Sequence, residues 1–149
     1  MFSCFKTGLP VLRFTKQPSS LELEVYSSPV HAGFPSPADD HVEAKLDLNE
    51  HLVRRPAATF FARAAGESMI DAGIFNGDLL IIDRGITPQH DDIVIAIVHG
   101  ELTVKRLKKD NKNWYLASDN STYPSFQIEE TGYDIWGVVT HSIRHHCRR

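Results

Sequence analysis

The sequence predicts a mostly β protein, and three observations lead there. Within residues 57–143, seven short runs are apolar or alternate between apolar and polar residues: "ATFFARA", "DLLIIDR", "DIVIAIV", "LTVKRLK", "NWYLAS", "SFQIE" and "YDIWGVVTHSI". Runs of this length and period suit strands and are too short for core helices. Turn-forming stretches such as "NGD", "HG", "KDNKN" and "SDNSTYP" separate them. The chain before them is punctuated by Pro10, Pro18, Pro29, Pro35 and Pro37, a spacing that excludes a long helix. The expected architecture is an antiparallel all-β core of about seven strands, its sheet mixed or closed, with a flexible N-terminal arm.

The elements follow in chain order. Residues 1–32 read as an arm, in which "LELEVY" alternates like a short strand but lacks the apolar mass for a core of its own. Residues 33–56 read as a linker with a short helix: in "DLNEHLV", Asp47 offers an N-cap, Leu48, Leu52 and Val53 are apolar, and Pro56 closes the segment. Residues 57–143 form the β core. His99 and Gly100, between "IVIAIV" and "ELTVKRL", suggest a tight hairpin in which glycine supplies the positive φ. "SMIDAGIFNG" interrupts the strands with one or two helical turns, Ser68 at their start, and residues 144–149 make a basic, polar tail.

Composition narrows the function classes. A chain of 149 residues suits one domain of ordinary size, and 42% apolar with 23% charged residues is an average soluble composition. No run approaches the roughly 18 apolar residues of a membrane helix. The opening "MFSCFKTGLPVLRFTK" lacks the pattern of a secretory signal. A soluble, cytoplasmic protein with no membrane association is expected. Cys4 and Cys147 lie at opposite ends, so no bridge is expected. His145, His146 and Cys147 are consecutive, without the spacing of a metal site, so neither metal nor cofactor is expected. Net charge is −3, divided as +1 up to Ala32 and −4 beyond it. A protein that binds duplex DNA alone normally shows a clustered basic face. None precedes the last six residues, which argues against direct sequence-specific DNA binding.

One stretch raises a chemical question. "AAGESMI" places Ser68 after Gly66 among small residues, where a substrate backbone can approach, but a serine hydroxyl needs a base before it attacks. Lys105 in "GELTVKRL" is the candidate. Alternation puts it on one strand face with Thr103 and Leu107, with Leu102, Val104 and Arg106 on the other. Packed against apolar neighbours, its amine would lose proton affinity and could accept the serine proton. Alternation alone favours a solvated strand lysine.

Taken together, "GESM", "IDAGIFNGDLLIIDR" and "DIVIAIVHGELTVKRL", with Lys105 following Ser68 by 37 residues, resemble the LexA/UmuD family of self-cleaving serine peptidases. "HAGFPSPADDHVEAKLDLNEHLVRRPAATFFARAAGESM" and "YDIWGVVTHS" are similar to its UmuD branch, so the likeness spans about residues 30–143. The resemblance implies a LexA/signal-peptidase-like β core with Ser68 as nucleophile and Lys105 as general base. It implies cleavage between Ala32 and Gly33, which removes the arm. Ala32 suits a shallow pocket, and Gly33 gives close backbone access. The backbone N–H of Ser68, with an adjacent amide, is the economical oxyanion donor. Gly66, Met69, Gly73, Gly77 and Asp78 match the motif in structural roles, and Glu67 is expected in solvent. Only 32 residues precede the bond, whereas a repressor's helix-turn-helix domain needs on the order of sixty. The implied function is therefore SOS mutagenesis: a homodimer that cuts itself when stimulated by a RecA filament on single-stranded DNA, then serves a Y-family DNA polymerase. Two alternatives stand beside it, a polymerase-binding module with a vestigial dyad and a peptidase acting on other proteins.

Overall fold

The computed structural model describes residues 20–26, 30, 32–33, 42–111, 113–123, 126–127 and 133–147. They belong to two compact units, one within residues 15–54 and the other containing residues 55–149. The first is a two-stranded antiparallel sheet of β1 (Glu22–Tyr26) and β2 (Val42–Asp47), in register from Glu22 opposite Asp47 to Val25 opposite Ala44, with a shift that puts Tyr26 opposite Val42. The short helix α1 (Leu48–Leu52) follows directly. Asp47 caps it as the sequence suggests, its carboxylate accepting from Asn49 N–H at 2.8 Å. Sequence reading placed β2 in a linker. Its alternation, Val42, Ala44 and Leu46 against Glu43, Lys45 and Asp47, was the signal that could have revealed it.

The larger unit is the predicted β core. β3 (Thr59–Arg63), β4 (Leu79–Asp83), β5 (Ile93–Val98), β6 (Glu101–Asp110), β7 (Asn113–Ala117), β8 (Phe126–Gln127) and β9 (Tyr133–Ile143) fall on the seven runs read from the sequence. They make one sheet in the order β3-β4-β9-β5-β6-β7-β8. Every pairing among the described residues is antiparallel, and none joins β3 to β8. The sheet is therefore neither mixed nor closed there. The β5–β6 turn has positive φ at both His99 (51°) and Gly100 (82°), the two-residue geometry whose twist matches its strands.

Both faces of the sheet are covered. Ala64, Met69, Ile74, Leu80, Ile82 and Ile95 form one buried cluster, and Val94, Ala96, Leu107, Leu116 and Val138 form another. β5 feeds them by alternation, Ile95 to the first and its neighbours Val94 and Ala96 to the second. β9 carries two irregularities. Ile95 and Ala96 face Gly137 and Ile135, leaving Trp136 as an extra residue, and Ile81 and Ile82 face His141 and Val139, leaving Thr140. Bulges of this kind re-aim side chains; Trp136 packs on the first cluster while its neighbour Ile135 packs on the second.

Gly137 leaves no room for a side chain against β4. An added Cβ would lie 2.6 Å from Ile82 Cγ2 and 3.2 Å from the Asp83 carbonyl oxygen. Gly137→Ala is expected to destabilise the unit by about 1–3 kcal/mol through overpacking. A urea titration should show a lower midpoint with an unchanged slope; an unchanged midpoint would refute the close approach.

Candidate active site

The segment bearing Ser68 leaves β3 at Ala64, whose backbone is fixed twice. Its N–H donates to the Asp78 carbonyl and its C=O accepts from Gly77 N–H, each at 2.8 Å. Gly66 follows at φ 86°, a conformation glycine adopts without strain, and its N–H donates to Asn76 Oδ1 at 3.0 Å. Beyond Ser68, Met69 is 2% exposed and anchors the segment in the first cluster. Its carbonyl accepts from Ala72 and Ile74 N–H. The helical stretch expected here is a single 3-10 turn, Ile70–Ala72, ended by Gly73 in the left-handed region at φ 79°. Ser68 thus precedes the turn, half-buried, held by anchors on both sides.

Asp78 is one of those anchors. It is 3% exposed, accepts from Phe75 N–H at 2.9 Å, and binds Arg144 through Nε at 2.9 Å and Nη2 at 2.7 Å. The hydrogen bonds from Arg144 hold its carboxyl below the usual carboxylate range. Arg144 also donates to the Gly73 carbonyl and lies 3.7 Å from the Phe75 ring centre. The first residue of the supposed tail thus secures the loop after the serine.

Lys105 lies on β6, opposite Val94 of β5. It is 6% exposed, which overturns the solvated reading that alternation alone favours. Its Nζ is 2.8 Å from Ser68 Oγ. Burial pushes its ammonium below the ordinary lysine value, because the charged form loses solvation. Among the described residues no carboxylate forms an ion pair with it that would pull the value back. Glu67 is exposed. Chemically, a neutral amine within hydrogen-bond range of a hydroxyl can take its proton as the oxygen attacks.

Beside the pair lies a groove of about 130 Å³, lined among others by Ala62, Ala64, Ser68, Ile95, Leu102 and Trp136. Alanines at 62 and 64 leave room where larger side chains would fill it. β3, which supplies that wall, is an edge strand among the described residues.

Sequence reasoning missed the loop that braces the serine segment from the other side. Asn120 Nδ2 donates to the Glu67 carbonyl at 2.8 Å, Asp119 N–H contacts Met69 Sδ at 3.4 Å, and Asp71 N–H donates to the Asp119 carbonyl at 2.9 Å. Arg106 fastens the loop to β6 by donating to the Asp119 carboxylate at 2.7 Å. In the sequence these residues are a run of turn formers, and nothing in that pattern signals their aim.

The remaining sequence-predicted residues, Ala32 and Gly33, are both exposed and lie in a bend between the two strands of the smaller unit. An added Cβ at Gly33 would meet nothing within 4 Å.

A β sheet that holds a buried lysine amine against a loop serine beside a groove offers the groups that a hydrolase of the Ser–Lys type would need. The chain belongs to the Peptidase S24-like family, whose model matches residues 24–140. It is 50% identical to protein ImpA of Salmonella typhimurium over 120 residues, covering 80% of this chain and 81% of that one. Protein MucA of Escherichia coli is 42% identical over 123 residues, 81% of this chain and 84% of its own. The LexA repressor of Shewanella denitrificans is 33% identical over 121 residues, 80% of this chain but 58% of the repressor. Among the described residues no helix is long and apolar enough to cross a membrane.

Proposed function

We propose that this protein cuts its own chain between Ala32 and Gly33, with Ser68 as nucleophile and Lys105 as general base. The observation that carries the reading is the 2.8 Å contact between Ser68 Oγ and an amine deprived of solvent. In the first step the oxygen attacks the Ala32 carbonyl carbon while its proton passes to Lys105 Nζ. The oxyanion that forms is met by the Ser68 backbone N–H, which has no acceptor among the described residues. Collapse breaks the bond to the Gly33 nitrogen, which takes the proton from Lys105 and leaves as a new N-terminus. Water, activated by the regenerated amine, then releases Ala32 from the serine ester. Gly33 supports the assignment indirectly: the fold around it would accept a side chain, so a glycine there serves something else, and close passage of the bond over the nucleophile is such a need.

The processed core is proposed to act in the cytoplasm as a homodimer in SOS mutagenesis, as accessory subunit of a Y-family translesion polymerase. A RecA filament on single-stranded DNA would trigger the cut by docking the bond in the groove. Incubating the purified protein with and without such a filament tests the reading. Mass spectrometry is expected to find fragments of 32 and 117 residues, counts that follow from a cut after Ala32 in 149 residues. The larger should begin "GFPSPADD". A different new N-terminus overturns the site, cutting of added proteins favours a general peptidase, and an intact chain at every pH overturns catalysis.

A further inference from the structure

We propose that Asn120 is a positioning residue for the oxyanion donor, fixing the peptide plane that carries the Ser68 N–H. The inference rests on the self-cleavage reading and extends it to a side chain that touches neither nucleophile nor base. Asn120 is 9% exposed, and both ends of its amide are engaged. Its oxygen accepts from Thr122 N–H at 3.0 Å and from Thr122 Oγ1 at 2.8 Å. That settles which end is which, since only an oxygen can accept the backbone N–H. The NH2 end therefore faces Glu67, and it donates to the Glu67 carbonyl at 2.8 Å.

The consequence follows from peptide geometry. Glu67 C=O and Ser68 N–H belong to one planar unit, and no cis peptide bond occurs among the described residues. In a trans unit the two groups point in opposite directions. Holding the carbonyl toward Asn120 thus directs the Ser68 N–H away from it, to the side where it has no protein acceptor among the described residues. A hydrogen bond accepted at the carbonyl also polarises the same amide, which strengthens the N–H as a donor. Ile70 N–H shares that carbonyl, but at 3.3 Å and from within the turn itself. Asn120 supplies the reference from outside the turn, and Asp119, tied to Arg106 on β6, keeps the loop in place.

Three variants test this, each followed by its plateau rate of self-cleavage at alkaline pH, the midpoint of its pH–rate profile, and its melting temperature. Asn120→Ala should lower the plateau ten- to hundredfold, somewhat less than outright removal of an oxyanion donor. The midpoint should stay put, because Lys105 is untouched. Thr122→Val, at an exposed position, removes one of the bonds that orient the amide and should cost severalfold with little change in melting; it keeps the test open should Asn120→Ala fold poorly. A full plateau in Asn120→Ala, or a fall matched by a shifted midpoint, overturns the proposal, the second by showing general damage to the dyad. If the wild-type chain is never cut, the self-cleavage reading fails, and crystal structures of wild type and Asn120→Asp decide the positioning claim alone. A carboxylate keeps the Thr122 bonds but repels the Glu67 carbonyl. A rotated 67–68 peptide supports the proposal, and an unmoved one overturns it.

Discussion

Replacing Lys105 with methionine is expected to abolish self-cleavage at every pH and, at neutral pH, to make the protein more stable. The loss follows from the proposed chemistry: without an amine beside Ser68 Oγ the hydroxyl has no proton acceptor, and removing a nucleophile or base from a serine hydrolase costs about 10⁴-fold or more in rate. Ser68→Ala should be as inactive. The two variants part in stability. Lys105 is 6% exposed, and a protonated amine there is held against its solvation preference. Methionine has similar reach without the charge and can fill the space beside Val94. A gain of roughly 0.5–2 kcal/mol is expected, the range that a single stabilising substitution commonly yields. Ser68→Ala leaves that strain in place and also removes the hydrogen bond to the amine, so it should melt no higher than the wild type. Chemical denaturation read beside a cleavage assay checks both. A Lys105→Met protein that still cuts would remove the dyad, and one clearly less stable would show the lysine to be well accommodated.

The second large effect is alkaline activation. If the amine must be neutral to accept the serine proton, the reactive fraction rises tenfold per pH unit up to the pKa of Lys105 in the folded core and then levels off. Over three units below that point the uncatalysed self-cut should speed up about a thousandfold. Burial lowers this pKa from the ordinary lysine value, so the levelling should occur below about 10.4. Stability must follow the same titration. Below the folded pKa both states carry the proton and the fold bears its full cost. Between the folded pKa and about 10.4 the unfolded chain holds more protons, so stability rises with pH, and above that it is flat again. The pH at which the rate levels should therefore coincide with the onset of the stability gain, and Lys105→Met should lose both features. A RecA filament that docks the bond and excludes water would depress the same pKa, so its advantage should shrink as pH rises. A flat profile, or a bell centred near the histidine value of about 6.5, would assign the base to a histidine.

Much of the core was legible because its signals are local. Each of the seven strands coincides with a run whose period is visible within five to eleven residues, and the His99-Gly100 turn declares itself by its glycine. β2 was legible in principle, but six residues amid prolines read as linker because the partner that stabilises them, β1, lies across a gap of fifteen residues. The site divides in the same way. Ser68 stands out by its small neighbours, and the motif resemblance drew Lys105 to it. Alternation alone pointed to a solvated lysine and misled, since both faces of this sheet carry buried clusters. Asn120 was invisible: its importance lies in where one amide points, and that is settled by a loop folding back across 53 residues of chain.

The pairing of β1 with β2 gives the proposed cut a property of its own. The Ala32–Gly33 bond lies in the connection between two strands that run side by side, so breaking it does not by itself part the pieces. It changes the molecularity of their association. Before the cut, the connection keeps β1 near β2 at an effective concentration on the order of millimolar; afterwards the severed segment must find its place from bulk solution. A two-stranded ribbon is marginal in water even when tethered, and at cellular dilution it would not reassemble. Dilution, rather than the energy of the peptide bond, would then make the event a one-way ratchet.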